Sequence, residues 1–106
     1  MKDPQKPIHY HGDSFKSLSQ FPPKKLEKFA MSLLYLQLGM EPVLKTKAMK
    51  GLGHGVLELT QNGKPAYRCV YVVTDDAIHV LHAFVKTSDA TDSKHEKTIK
   101  ERYKQI

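Results

Sequence analysis

The dipeptide Asn62-Gly63 is the feature that most constrains what this chain can fold into. It stands between a strand-like run, Val56–Gln61, and a run rich in tyrosine and valine, Ala66–Val73. Asn-Gly is the strongest short hairpin signal, because both central positions of a type I′ turn need positive φ. The pattern predicts two antiparallel strands. A second turn, Thr74-Asp75-Asp76, leads into a third run, Ala77–Val85, and extends the hairpin to a meander. Such a sheet has to bury an apolar face against other elements.

The rest of the chain supplies them. Ile8-His9-Tyr10-His11 alternates apolar and polar residues and reads as a short strand. Gly12-Asp13-Ser14 reads as a turn and N-cap opening a short helix with Phe15 and Leu18 inward. Pro22-Pro23 ends that piece and suits the first turn of the next helix. Leu26, Phe29, Ala30, Leu33 and Leu34 follow at helical spacing, and Gly39 suits the stop. Met31, Tyr35, Leu36 and Leu38 broaden the apolar face, so this helix needs cover on more than one side. Residues 40–55 read as a connector, Thr87–Ser93 as a polar loop, and Ser93 with Glu96 as the capping box of a last helix whose Ile99, Tyr103 and Ile106 share one face. The order predicts an α+β fold, a compact two-layer sandwich with the helices packed on an antiparallel sheet. Residues 1–7, polar and holding two prolines, are expected to be a flexible tail, and residues 8–106 a single domain.

Several classes are excluded. No apolar run reaches the roughly 18 to 20 residues of a membrane span. No apolar segment of the secretory kind follows the first residues, so cytoplasmic location is the default. The single cysteine, Cys69, excludes an internal disulfide framework and a cysteine-based zinc site, and is expected to be a small core residue. His9 and His11 would share one strand face as a metal pair does, but no third ligand is evident, and no metal or other cofactor is expected.

Charge says more about partners. Residues 1–50 carry nine lysines and four acidic residues, whereas residues 51–106 carry eight basic and seven acidic ones. Six of those lysines, Lys24, Lys25, Lys28, Lys45, Lys47 and Lys50, lie between positions 24 and 50. A basic surface suits phosphates or an acidic protein; it also suits plain solubility. Lys24, Lys25 and Lys28 oppose the dipole at their helix start, so helix stability does not explain them.

The candidate chemistry centres on Arg68, in mid-strand. An unpaired guanidinium is costly to bury, so Arg68 either meets a carboxylate, Glu58 on the neighbouring strand, or opens onto a groove that receives anions. Strand alternation puts His82, Phe84 and Lys86 on one face, with His79 on the other. Arg68 flanked by His82, Lys86 and the Lys50–His54 connector would suit phosphodiester chemistry. Histidine passes protons near neutral pH, while arginine and lysine stabilise charge on phosphorus.

Three blocks, Ala48–Leu59 with its Lys50-Gly51-Leu52 turn and "VLEL" strand, Tyr67–Tyr71 ("YRCVY") and Val80–Lys86 ("VLHAFVK"), together resemble the phage-derived HigB-like toxins of the RelE/ParE superfamily. The resemblance runs from about residue 8 onward and implies the RelE-like fold. It implies the toxin half of a type II toxin–antitoxin pair: a metal-independent, ribosome-dependent mRNA endoribonuclease that inhibits translation. It also implies a helix-turn-helix antitoxin partner, through whose complex the toxin can oligomerise. By position, Arg68 matches the arginine that would hold the scissile phosphate, and Lys50, His82 and Lys86 match further site residues. Lys24, Lys25, Lys28, Lys45, Lys47 and His54 are the expected RNA contacts. The alternatives are a ParE-like toxin that binds gyrase and cleaves nothing, and a non-catalytic binding domain of the same fold.

Overall fold

The computed structural model describes residues 5–87 and 93–106. The elements are β1 (Ile8–Tyr10), α1 (Ser14–Ser19), α2 (Pro23–Gln37), β2 (Lys45–Ala48), β3 (Leu57–Gln61), β4 (Ala66–Val73), β5 (Ile78–Lys86) and α3 (Ser93–Tyr103). The strands form one five-stranded sheet in the order β1-β5-β4-β3-β2. The expected α+β architecture is therefore present, with two refinements. β1 joins the sheet parallel to β5 while every other pairing is antiparallel, so the sheet is mixed. The helices also divide between the two faces, where a two-layer sandwich with all helices on one face was expected, because element order does not say which face each helix takes.

One face carries α1 and α2. Leu18, Phe21, Phe29 and Leu33 pack there against Leu59, Tyr67, Cys69, Tyr71, Ile78, Val80 and Ala83. α2 starts where Pro22 and Pro23 place it, at positions that lose no helical hydrogen bond. It ends in a Schellman motif: Met40 N–H donates to the Tyr35 carbonyl, and Gly39 N–H to Leu36, with Gly39 at φ +76°. The other face carries α3, whose Ile99 and Tyr103 pack with Leu52, Val56, Val70, Val72, Leu81 and Phe84. β4 lies between the two cores, and its residues from Ala66 to Val72 are all buried.

Four local expectations are corrected. The connector contains β2, an edge strand whose four residues are all exposed. With no apolar alternation to reveal it, Lys-Thr-Lys-Ala reads as loop; lysines on an edge discourage further pairing. Asn62-Gly63 does join two strands, but not through a type I′ turn, since no residue other than glycine has positive φ among the described residues. Gln61 pairs with Tyr67, leaving five residues in the connection, and Pro65 has no N–H with which to extend the ladder inward. α3 includes Ser93 as its first residue, so Ser93 is not the residue preceding the helix.

The fourth correction matters most. Val70 pairs with His82 but Tyr71 pairs with Val80, so Leu81 is an unpaired bulge residue in β5. The extra residue resets the alternation. His79, opposite Val72, and His82, opposite Val70, therefore share a face rather than lying on opposite ones.

Residues 1–4 of the expected tail, and residues 88–92 of the expected loop, lie outside the described residues. Lys6 N–H donates to the Gln37 carbonyl, and Lys6 Nζ to that of Thr74. No helix among the described residues is long and apolar enough to cross a membrane.

Phe29 is fully buried where α2 meets the sheet. Phe29→Ala should lower stability by about 3–5 kcal/mol, read as a shift of the urea midpoint at unchanged m-value. A loss below about 1 kcal/mol would mean that α2 does not anchor the core.

Candidate functional site: a cationic sheet face

Cross-strand partners share a face, so the register defines the surface beside α3. Lys45 and Lys47 of β2 stand opposite Thr60 and Glu58 of β3. Thr60 stands opposite Arg68, and Glu58 opposite Val70. On β5, Phe84 and His82 are the partners of Arg68 and Val70, and Lys86 is that of Ala66. α3 covers the Val70–Val72 end of this surface. At the other end a cleft of about 580 Å³ opens between the Asn62–Ala66 turn, Arg68, Lys86 and Thr87.

Arg68 forms the inner wall of that cleft and is only 8% exposed. Its Nε lies 3.4 Å from Glu58 Oε1; its Nη1 donates to the Tyr67 carbonyl and its Nη2 to Asn62 Oδ1, each at 3.1 Å. The two possibilities for Arg68 thus coincide: it meets the carboxylate and also borders an open groove. Glu58 is buried too, and neither its Oε2 nor Arg68 Nε has a hydrogen-bond partner among the described residues. Burial raises the Glu58 pKa; Arg68, Lys86 and Lys47 act against that rise. Lys64 on the cleft wall is exposed and Lys86 half-exposed, so these are the cations a ligand in the cleft reaches first; Lys45 and Lys47, exposed on β2, extend the same sheet face.

His82 sits further along the same row, 9% exposed. Its Nε2 is 2.8 Å from Nδ1 of His95, and its Nδ1 is 3.5 Å from Arg102 Nη1. Burial, then His95 and Arg102, pushes its pKa down to about 4. At neutral pH His82 is an uncharged, weakly basic ring, unsuited to taking a proton from an alcohol. Cys69 is fully buried with its thiol pushed up to about 12, which makes it an inert core residue.

The structure separates the expected lysine group. Lys50 and His54 lie in the β2–β3 connection, at the end of β3 away from Arg68, where the His54 carbonyl accepts a hydrogen bond from Tyr103 Oη. Lys24, Lys25 and Lys28 lie on α2, across the sheet; Lys25 Nζ stands 6.0 Å above the Tyr67 ring. Only Lys45 and Lys47 join Arg68, His82 and Lys86.

Arg102 and His95 were missed by the sequence reading. Arg102 of α3 donates through Nη1 to the carbonyl of the bulge residue Leu81, and through Nη2 to Asp13 Oδ1, both at 2.8 Å. Gly12 has φ +55°, a backbone conformation that favours glycine, and a Cβ there would come 2.5 Å from that guanidinium. His95 stacks on Phe84 with ring centroids 4.2 Å apart. None of this has a local signature, because Asp13, Leu81, His95 and Arg102 meet only through the tertiary fold. Among the described residues, no group of three or more His, Cys, Asp or Glu is placed to hold a metal ion.

Residues 16–104 match the family described as "Phage derived protein Gp49-like (DUF891)". The chain belongs to this phage-derived Gp49-like family. No curated protein matches it. Among solved structures, this Gp49-like protein is similar to a chain of the toxin–antitoxin complex RelBE2 from Mycobacterium tuberculosis. The TM-score is 0.52 at 18% identity, over 82% of this chain and 98% of that one. At that identity the likeness establishes the fold, which the Gp49-like protein shares.

The depressed His82 pKa sets a pH dependence. An unfolded histidine titrates near its ordinary value of 6.5, the folded one near 4. Between those values the unfolded chain takes up a proton that the folded chain refuses. The stability contribution present above pH 6.5 therefore falls by about 3 kcal/mol as the pH approaches 4. Glu58, with its raised pKa, has the opposite sign. Urea unfolding of wild type and His82→Gln, near neutral pH and near pH 4, should show a smaller acid loss in the variant. Equal losses would mean that His82 does not resist protonation.

Proposed function

We propose that this Gp49-like protein is the toxin of a type II toxin–antitoxin pair, HigB-like in kind, and a ribosome-dependent mRNA endoribonuclease that needs no metal and inhibits translation in the cytoplasm. One observation carries the reading: an open cleft walled by Lys64, Arg68 and Lys86, with Lys45 and Lys47 continuing the cationic surface along the same sheet face. The phage-derived family and the fold shared with a chain of the RelBE2 toxin–antitoxin complex support it. On this reading the 2′-OH of one nucleotide attacks its own 3′-phosphorus and forms a 2′,3′-cyclic phosphate as the bond from phosphorus to the 5′-oxygen of the next nucleotide breaks; the 2′-OH gives its proton to water and the departing 5′-oxygen takes one from water. The exposed lysines neutralise the phosphate oxygens, and Arg68, fixed by Glu58, lends charge from beneath. Neither Arg68 nor His82 is free to move protons, so positioning on the ribosome supplies much of the rate. Lys24, Lys25, Lys28, Lys50 and His54 lie away from the cleft and serve as outlying contacts to ribosomal RNA phosphates.

The same engaged state of Arg68 and His82 is what favours the second reading, a ParE-like, gyrase-binding or otherwise non-cleaving protein of this fold. Primer extension on mRNA after induced expression separates them. Discrete cuts at ribosome-occupied codons are expected; intact mRNA with DNA damage would establish the gyrase reading, and harmless expression the non-catalytic one. Lys86→Gln is the cleanest site variant, because Arg68→Ala would strand the buried Glu58 carboxylate at a cost of about 3–5 kcal/mol. Cleavage by Lys86→Gln should fall by about a hundredfold, and undiminished cutting would remove Lys86 from the site. Lys45→Gln and Lys47→Gln should each lower the log–log salt slope of ribosome binding by about 0.7.

The antitoxin is proposed to be an acidic, helical, DNA-binding partner seated on the opposite side of the molecule. A cleft of about 360 Å³ runs there between β1, α1 and α2, lined by Tyr10, Phe15, Leu26, Ala30, Leu33 and Leu34. Phe15, Met31, Leu34 and Leu38 are exposed around it, whereas Leu36 packs partly against the core. The basic chain favours an acidic occupant. Inhibition then comes from bulk that keeps the toxin off the ribosome, with the cationic cleft left open. Leu34→Lys should leave the protein folded and toxic but no longer rescued by the antitoxin in a growth assay. Full rescue would place the antitoxin elsewhere.

A further inference from the structure

A polar chain runs between β5 and α3, and its proton order is determined from one end. Arginine donates hydrogen bonds and accepts none. Arg102, held by Leu81 and Asp13, therefore faces the lone pair of His82 Nδ1, at 3.5 Å. That leaves the His82 proton on Nε2, which donates to Nδ1 of His95 at 2.8 Å. The His95 proton is then on its own Nε2, which makes no hydrogen bond among the described residues. The His95 ring is held flat on Phe84, with planes 20° apart. Phe84 is the cross-strand partner of Arg68, and Lys86 continues the same row. A single N–H donor thus belongs to a ring that lines a separate groove with Gln20, His82 and Phe84, one cross-strand step from Arg68, and that can neither rotate freely nor change tautomer without breaking the chain behind it.

We propose that Nε2–H of His95 is a hydrogen-bond donor to a phosphate oxygen of the bound RNA, and that Arg102, acting through His82, is the positioning residue that fixes this donor. The ligand assignment rests on the nuclease reading; the proton order does not. No bond is made or broken by His95 in this role. It places the phosphate and withdraws charge from it, alongside Lys86 and Lys47.

Two measurements test this. In the first, the full chain with ¹⁵N-labelled histidine is examined by long-range ¹H–¹⁵N correlation, which reads the protonated nitrogen of each ring. His82 and His95 should both carry their proton on Nε2. In Arg102→Gln, and in His82→Phe, which leaves the Arg102 contacts to Leu81 and Asp13 in place, His95 should become a mixture of tautomers. A His95 protonated on Nδ1 in the wild type, or one unaffected by either variant, would overturn the positioning chain. The second uses ribosomes programmed with an mRNA that is 2′-O-methylated in the occupied codon and so cannot be cleaved. His95→Ala should bind them about tenfold more weakly than wild type, the loss expected for one hydrogen bond to a charged group. Unchanged affinity in His95→Ala, with wild type binding normally, overturns the ligand assignment alone. Wild type that does not bind programmed ribosomes overturns the nuclease reading and the ligand with it.

Discussion

Strand β4 is buried on both faces from Ala66 to Val72, and the rest of the molecule follows from that. A strand buried on both sides needs two covers, and one apolar helix layer supplies only one of them. α1 and α2 close the face of Tyr67, Cys69 and Tyr71. α3 and the β2–β3 connection close the face of Val70 and Val72. The second cover is smaller than the first and does not reach the end of the strand. Arg68 lies where it stops, next to the cleft. The charged residue in the middle of an apolar strand is thus neither an accident of packing nor a free surface group. Glu58 compensates it from below, and the cleft gives it a solvent edge.

What could be read from the sequence follows from which signals are local. The hairpin, the two-proline helix start, the Gly39 stop and the helical spacing from Leu26 to Leu34 all depend on near neighbours, and all are found in the structure. So is the shared face of Arg68, His82, Phe84 and Lys86. β2 escaped because an edge strand exposed throughout has no apolar residue to mark its period. The same blank pattern made Lys45 and Lys47 look like members of one lysine group with Lys24 and Lys28. The sheet itself keeps the two sets on opposite sides.

The bulge at Leu81 explains the remaining differences. Strand parity is reliable only while the ladder is unbroken, and one unpaired residue inverts it for everything beyond. Counting by twos separated His79 from His82; the bulge puts them together. The bulge also frees a backbone carbonyl, and Arg102 is bound to it. Its orientation toward His82 then follows. A sequence in which neither the bulge nor its partner is marked cannot disclose His95 either, because the reason for His95 lies two contacts away in Arg102.

The tie between Asp13 and Arg102 joins residues 89 positions apart. In a chain made from one end, that span is also an interval of time. When the last strand has been synthesised, the Leu81 carbonyl has no guanidinium, His82 has nothing opposite its Nδ1, and the face of Val70 and Val72 has no helix over it. Every residue of the first core lies at or before position 83, whereas the second core waits for Ile99 and Tyr103.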